Sequence, residues 1–166
     1  MKLSDVRITG IGETPKSRNR SKRGEKYHNV EEYFAWAARK TLDDAGIEKH
    51  EIDGLGIVQP LAATTPIIYP NVVAEVLGLT ALQWLVVADH GGASALELLI
   101  QGGLAVQSGR IDTILCLGAD THHHPGDDTE VIPRSGRGFS YNYMDPHGAQ
   151  GPSSHIAMVQ QRHMEN

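Results

Sequence analysis

The sequence predicts one α/β domain, and three observations carry that expectation. Short apolar runs alternate with helical patterns through the first 121 residues. A hydrophobic content of 40% over 166 residues is enough to bury a core. The segment from Gly92 to Gln107 is apolar nearly all round, the mark of a helix enclosed by other protein. The 18 glycines and eight prolines punctuate these runs without a period and read as turns.

Each element has a local reason. Val6–Ile11 alternates apolar and polar side chains before Gly12 and Pro15, which suits a short first strand closed by a turn. Asn29 is placed to cap a helix whose apolar stripe is Val30, Tyr33, Phe34, Ala37, Ala38, Thr41, Leu42 and Ala45, ended by Gly46. Glu31, Glu32, Arg39, Lys40 and Asp43 solvate its other face. Ile52–Val58 reads as a second strand, and Pro70–Leu77 as a short helix with proline in its first turn and Gly78 past its end. Leu82–Ala88 is a strand covered on both faces. In the Gly92–Gln107 helix, Gly102 and Gly103 each cost about 1 kcal/mol relative to alanine, which another backbone approaching closely would offset. Ser108-Gly109-Arg110 ends that helix, and Ile111–Leu117 is a further buried strand, so a right-handed crossover is expected between them.

Residues 1–121 are therefore expected to form the α/β core. Residues 122–166 should form an irregular loop region and then a helix opened by Pro152 and Ser153, with Ile156, Val159, Gln160 and His163 on its modest face. That helix stops at Asn166 without a capping glycine, as if cut through.

Composition excludes several classes. The formal charge of -5 disfavours nucleic acid, which normally needs a basic surplus. The run Lys16, Arg18, Arg20, Lys22, Arg23 and Lys26 is read as a solvated loop, with an anion patch, for example for a CoA phosphate, as the competing reading. A single cysteine, Cys116, rules out an intrachain disulfide framework and fits a reducing cytoplasm. No signal-like stretch and no membrane-length apolar run is present, so a soluble intracellular protein is expected.

The order VRITGIGETP, DDAGI, EIDGLGIV, AEVLGL, ADHGGASALELL and SGRIDTILCLGAD resembles the sterol-carrier-protein-X type of thiolases and their thiolase-like relatives. The most specific pieces are the DAG to DGL spacing from Asp44 to Leu55, the HGGASA turn from His90 to Ala95, and the run from Ser108 to Asp120. The resemblance implies the amino-terminal half of a thiolase fold: a mixed five-stranded sheet, a buried central helix and helices on both faces. In that family the central helix lies between two such halves. A lone half would lose on the order of 25 cal/mol for every Å² of apolar surface left in water.

The resemblance also implies a departure in mechanism. Where active thiolases hold their nucleophilic cysteine, this sequence aligns Gly92, so no acyl-enzyme can form there. Cys116, among apolar strand neighbours, is read as inert, and Ser94 as a packing or capping group. Asp89 and His90 are the candidate catalytic residues. His90 could polarise a thioester carbonyl or move a proton, or it could simply brace the turn; the two readings stand side by side. Gly91 and Gly92, with Ser94, are the candidate substrate-binding positions.

His122, His123 and His124 with Asp127 and Asp128 invite a metal reading, but adjacent histidines rarely converge on one ion, so no metal site is assigned. By resemblance, Tyr141, Tyr143, His147 and His155 fall in a substrate-covering region.

The leading expectation is a subunit or fragment of a cysteine-free, aldolase-like enzyme that works on carbon–carbon bonds of CoA thioesters and is inactive as an isolated half. CoA thioester is expected as substrate, with no covalently bound cofactor. The resemblance implies a homodimer or a heteromer with a chain supplying the second half, and an OB-fold, zinc-binding partner. A non-catalytic acyl-CoA- or lipid-binding or scaffolding subunit, dimeric through the Ile111–Leu117 edge, is the alternative from another class. A thiolase-type acetyl-CoA acyltransferase fragment is the third.

Overall fold

The computed structural model describes residues 5–14, 28–60, 69–121, 145–148 and 151–165. The chain divides into two compact units, residues 1–130 and 131–166.

In the first unit, helix α1 (Val30–Ala45) begins where Asn29 closes a capping box: its side chain accepts from the Glu32 amide at 2.8 Å, and the Glu32 carboxylate accepts from the Asn29 amide at 3.0 Å. It ends at Gly46, whose φ of 65° is left-handed. Strand β1 (Gly54–Val58), helix α2 (Tyr69–Leu77), strand β2 (Trp84–Ala88), helix α3 (Ser94–Gln107) and strand β3 (Ile114–Leu117) follow. Among the described residues the strands form one parallel sheet in the order β2-β1-β3. Gly54 pairs with Trp84 on one side and Ile114 on the other.

The two faces of the sheet are covered differently. Leu55, Ile57, Leu115 and Leu117 pack with Val30, Phe34, Tyr69 and Val73 in one buried cluster under α1 and α2. Helix α3 crosses the other face. There Gly56 leaves room for it, since a Cβ would stand 3.2 Å from Leu98 Cδ2 and 3.5 Å from Cys116 Sγ. Gly102 does the same from the helix side, where a Cβ would come within 2.8 Å of Ile114 Cδ1. Close approach does explain the mid-helix glycine, but the approaching group is a β3 side chain and not a second backbone.

The fold is the expected α/β arrangement, with three strands of the expected five among the described residues, all of them parallel. The strands are also shorter at their starts than periodicity suggested: β1 begins at Gly54, not Ile52, and β3 at Ile114, not Ile111. The first strand expected over Val6–Ile11 is not formed among the described residues, where this segment has no ladder partner. It is instead held against α1, where the Ile11 amide donates to Asp44 Oδ2 at 2.9 Å and Lys40 Nζ donates to the Glu13 carbonyl at 3.0 Å. Alternation supplies a strand's side-chain pattern but not the neighbour that makes it a strand.

The central helix is buried on one side only. Ser94, Leu98, Gly102, Gly103 and Ala105 face inward, while Leu96 and Ile100 are 65% and 51% exposed. In the second unit a short 3₁₀ turn, Asp145–His147, precedes helix α4 (Gly151–Met164). No described helix is long and apolar enough to cross a membrane.

Candidate functional site

Parallel sheets present their ligand sites at the carboxyl ends of the strands, where successive connections diverge. Here the end of β2 runs into Asp89, His90, Gly91 and Gly92, all exposed, and then into α3. A single 3₁₀ turn, Gly91–Ala93, makes the junction, allowed by a left-handed φ of 57° at Gly91. Ser94 locks it. Its hydroxyl is buried and accepts from the His90 amide at 2.9 Å, while the Ala93 amide donates to the His90 carbonyl at 3.3 Å.

The structure therefore brings all five expected residues into one turn at the amino end of α3. It does not give them equal access. Ser94 is used internally, whereas His90 stands in solvent with its backbone fixed. A Cβ added at Gly92 would meet nothing within 4 Å, and Gly92 keeps an ordinary φ. Neither packing nor backbone geometry demands glycine at this position. What its absent side chain leaves is open space beside the positive end of a helix dipole, which favours a carbonyl oxygen or other developing negative charge.

Cys116 lies in β3 on the α3 side, its thiol 3.9 Å from the Leu98 carbonyl. Burial pushes its pKa up to about 11, so almost no thiolate exists near neutrality.

One residue near the sheet's carboxyl end was not singled out from sequence. Tyr69, the first residue of α2, is 1% exposed and packs its ring 6.0 Å from Phe34. Among the described residues no hydrogen bond of ordinary geometry completes its hydroxyl. Burial first, then the nearby Glu31 and Asp120 carboxylates, raise that hydroxyl well above the usual phenol range. Its only sequence signal is an aromatic residue placed just before Pro70.

The triple histidine with Asp127 and Asp128, Tyr141 and Tyr143, and the basic run from Lys16 to Lys26 lie outside the described residues. His147 is exposed in its 3₁₀ turn, and His155 falls within α4. Among the described residues no group of three or more His, Cys, Asp or Glu is arranged to hold a metal ion.

Against known proteins, no family model matches the chain. It is similar to a steroid side-chain-cleaving aldolase from Thermomonospora curvata, 28% identical over 162 residues that make up 95% of this chain and 39% of that protein. Among solved structures it resembles the Ltp2-ChsH2(DUF35) aldolase, with a TM-score of 0.70 and 26% identity, covering 95% of this chain and 37% of the other. This is a thiolase-fold protein. A monomeric SCP2-thiolase-like protein type 1 from Mycobacterium smegmatis shares the fold at a TM-score of 0.51 and 23% identity, covering 67% of this chain and 22% of the other. In each case the thiolase-fold chain described here spans well under half of its relative's length.

Proposed function

We propose that this chain is a subunit or portion of a cysteine-free, aldolase-type enzyme that cleaves a carbon–carbon bond in a 3-hydroxyacyl-CoA thioester. The observation carrying this reading is the turn at the end of β2: a solvent-facing His90 and Asp89 beside open space at Gly92, on a chain similar to two aldolases over 95% of its length. Retro-aldol cleavage needs no covalent acyl-enzyme. A base takes the proton of the 3-hydroxyl, the bond between C2 and C3 breaks, a ketone or aldehyde leaves, and the electron pair becomes a thioester enolate. Protonation at C2 then gives the shortened acyl-CoA.

Within this scheme the amino end of α3 faces the thioester oxygen, where negative charge grows in the enolate. His90 holds or moves a proton of the substrate, and Asp89 sets the charge beside it. Gly91 and Gly92 admit the thioester. The bare outer face of α3 is covered by a partner supplying the complementary half, in a homodimer or heteromer, and an OB-fold zinc-binding chain is a further expected partner. Alone, the chain is inactive, and its setting is the cytoplasm.

The test uses a 3-hydroxyacyl-CoA with the chain alone and with the polypeptide that completes it. Release of a ketone or aldehyde with the shortened acyl-CoA is expected only in the completed enzyme. His90→Ala should slow it by about 100-fold or more, the usual worth of a positioned acid or base. Intact-mass detection of an acyl group attached to this chain would refute the reading.

A further inference from the structure

Polar side chains from three elements converge at the carboxyl end of the sheet, on the face that α1 and α2 cover. Tyr69 opens α2; its ring packs against Phe34 of α1, and the whole residue is enclosed. Glu31 lies one turn before Phe34, in the first turn of α1. Asp120 stands just past the end of β3, its Oδ1 turned to accept from the amide of the buried Thr121 at 2.8 Å. Both carboxylates are near enough to the Tyr69 hydroxyl to reinforce what burial does to it. Glu31 is half-buried and Asp120 exposed, so water reaches this corner from above while Tyr69 closes it from below.

These groups offer many acceptors and very few donors. An ionised carboxylate only accepts, so the phenol carries the single polar hydrogen of the three side chains, and it has two carboxylates to turn to. The lone pairs of the phenol oxygen are left over. Among the described residues no group meets them at ordinary geometry, although an enclosed hydroxyl normally has its partners. An anion, or a neutral carbonyl, would add acceptors where they are already in surplus. A cation with bound water supplies both the positive charge and the missing donors.

We infer that Glu31, Asp120 and Tyr69 form a site for a hydrated, hard divalent cation of the magnesium class, held by the two carboxylates, with one of its waters donating to the Tyr69 oxygen. Magnesium keeps several of its waters and is commonly held by one or two carboxylates, so the site needs no cage of three or more acidic or imidazole ligands. Calcium, which takes six to eight oxygens, would find too few here. An ion in this corner ties the starts of α1 and α2 to the exit of β3. It sits on the face of the sheet opposite α3, and the inference does not depend on the chemistry proposed for the His90 turn.

Divalent manganese, which takes the same oxygen ligands and is paramagnetic, is the probe. In amide NMR spectra of the intact chain, a small fraction of an equivalent should erase the signals of Glu31, Tyr69, Asp120 and Thr121. Those of Gly54 and Ile114, at the opposite end of the sheet, should persist. Excess magnesium should restore the lost signals. Glu31→Gln and Asp120→Asn should each weaken manganese binding about tenfold, and Tyr69→Phe, which loses one water-mediated contact, about threefold. Tyr69→Phe keeps the buried ring against Phe34, so it reads the site even if a carboxylate variant loosens the start of α1. No selective loss of signal overturns the inference, as does broadening spread evenly over the exposed carboxylates. A selective loss that survives all three substitutions, or that magnesium does not relieve, overturns it equally.

Discussion

The two ends of the parallel sheet are built on opposite principles. At the amino end, Asp53 spends every polar group on architecture. Its carboxylate accepts from the Asp112 and Thr113 amides at 2.8 Å each, its carbonyl accepts from Gln83 and Trp84, and its amide donates to the Thr113 carbonyl. At the carboxyl end, Asp89, His90, Gly91 and Gly92 stand exposed, with the buried Ser94 hydroxyl holding the His90 amide beneath them. Two aspartates next to strands of one sheet thus differ in purpose: one fastens three strands together, the other borders a surface open to a ligand. Charge and position in sequence do not distinguish them. Exposure does, since Asp53 is half-buried and Asp89 exposed.

Asp53→Ala is the change expected to cost most. It removes two charge-assisted hydrogen bonds and leaves two backbone amides short of an acceptor, for a loss of about 3 kcal/mol in denaturant unfolding. Asp53→Asn retains an acceptor and should recover about half of that. Asp89→Ala should stay within about 0.5 kcal/mol of the parent. Equal effects from the two alanine variants would break the contrast between the ends.

The same contrast marks what the sequence could and could not reveal. Helix α1 was legible because its signals are local: Asn29 with Glu32 at the start, Gly46 at the end, and a stripe between them. The turn from Asp89 through HGGASA was legible as a unit for the same reason, and Asp89, His90, Gly91, Gly92 and Ser94 do fall together. Asp53 was visible only as part of a motif, because its partners lie about 60 residues away and no spacing rule announces them. Val6–Ile11 forms no strand among the described residues because alternation describes side chains, whereas a strand also needs a neighbouring backbone. Tyr69 escaped notice since nothing local shows that its hydroxyl will be enclosed by α1 and the sheet with carboxylates nearby.

Ser94→Ala sharpens the picture within the carboxyl end. The hydroxyl is buried and accepts one amide, so its loss should cost about 1 kcal/mol, smaller than Asp53 because one bond is involved and neither partner is charged. The effect should be local. Hydrogen exchange at the His90 amide should accelerate while β1 amides keep their protection, showing that Ser94 steadies the turn and not the sheet. Uniform loss of protection would mean that this turn belongs to the core and is not a separable platform for His90.

The smallest expected effect on stability is at Gly92, and it is the most informative about chemistry. Gly10 sits against the Thr41 backbone and is glycine by necessity, but Gly92 has open space around it. Gly92→Cys should therefore stay within about 0.5 kcal/mol of the parent. Its thiol, exposed at the amino end of α3, should react with iodoacetamide about tenfold faster or more near neutral pH than Cys116 does in the parent. For Cys116 itself alkylation should climb until about pH 11, since burial disfavours the thiolate. The linked stability has a definite sign: the neutral buried thiol is fully favourable below pH 9.0, and its contribution is lost as pH rises towards about 11, because the unfolded chain ionises first. If Gly92→Cys folds normally and its thiol is the faster one, then the fold has room for a nucleophile that this sequence does not supply, and glycine there reflects the reaction performed and not the architecture. A marked loss of stability would reverse that conclusion, making Gly92 a structural residue like Gly10.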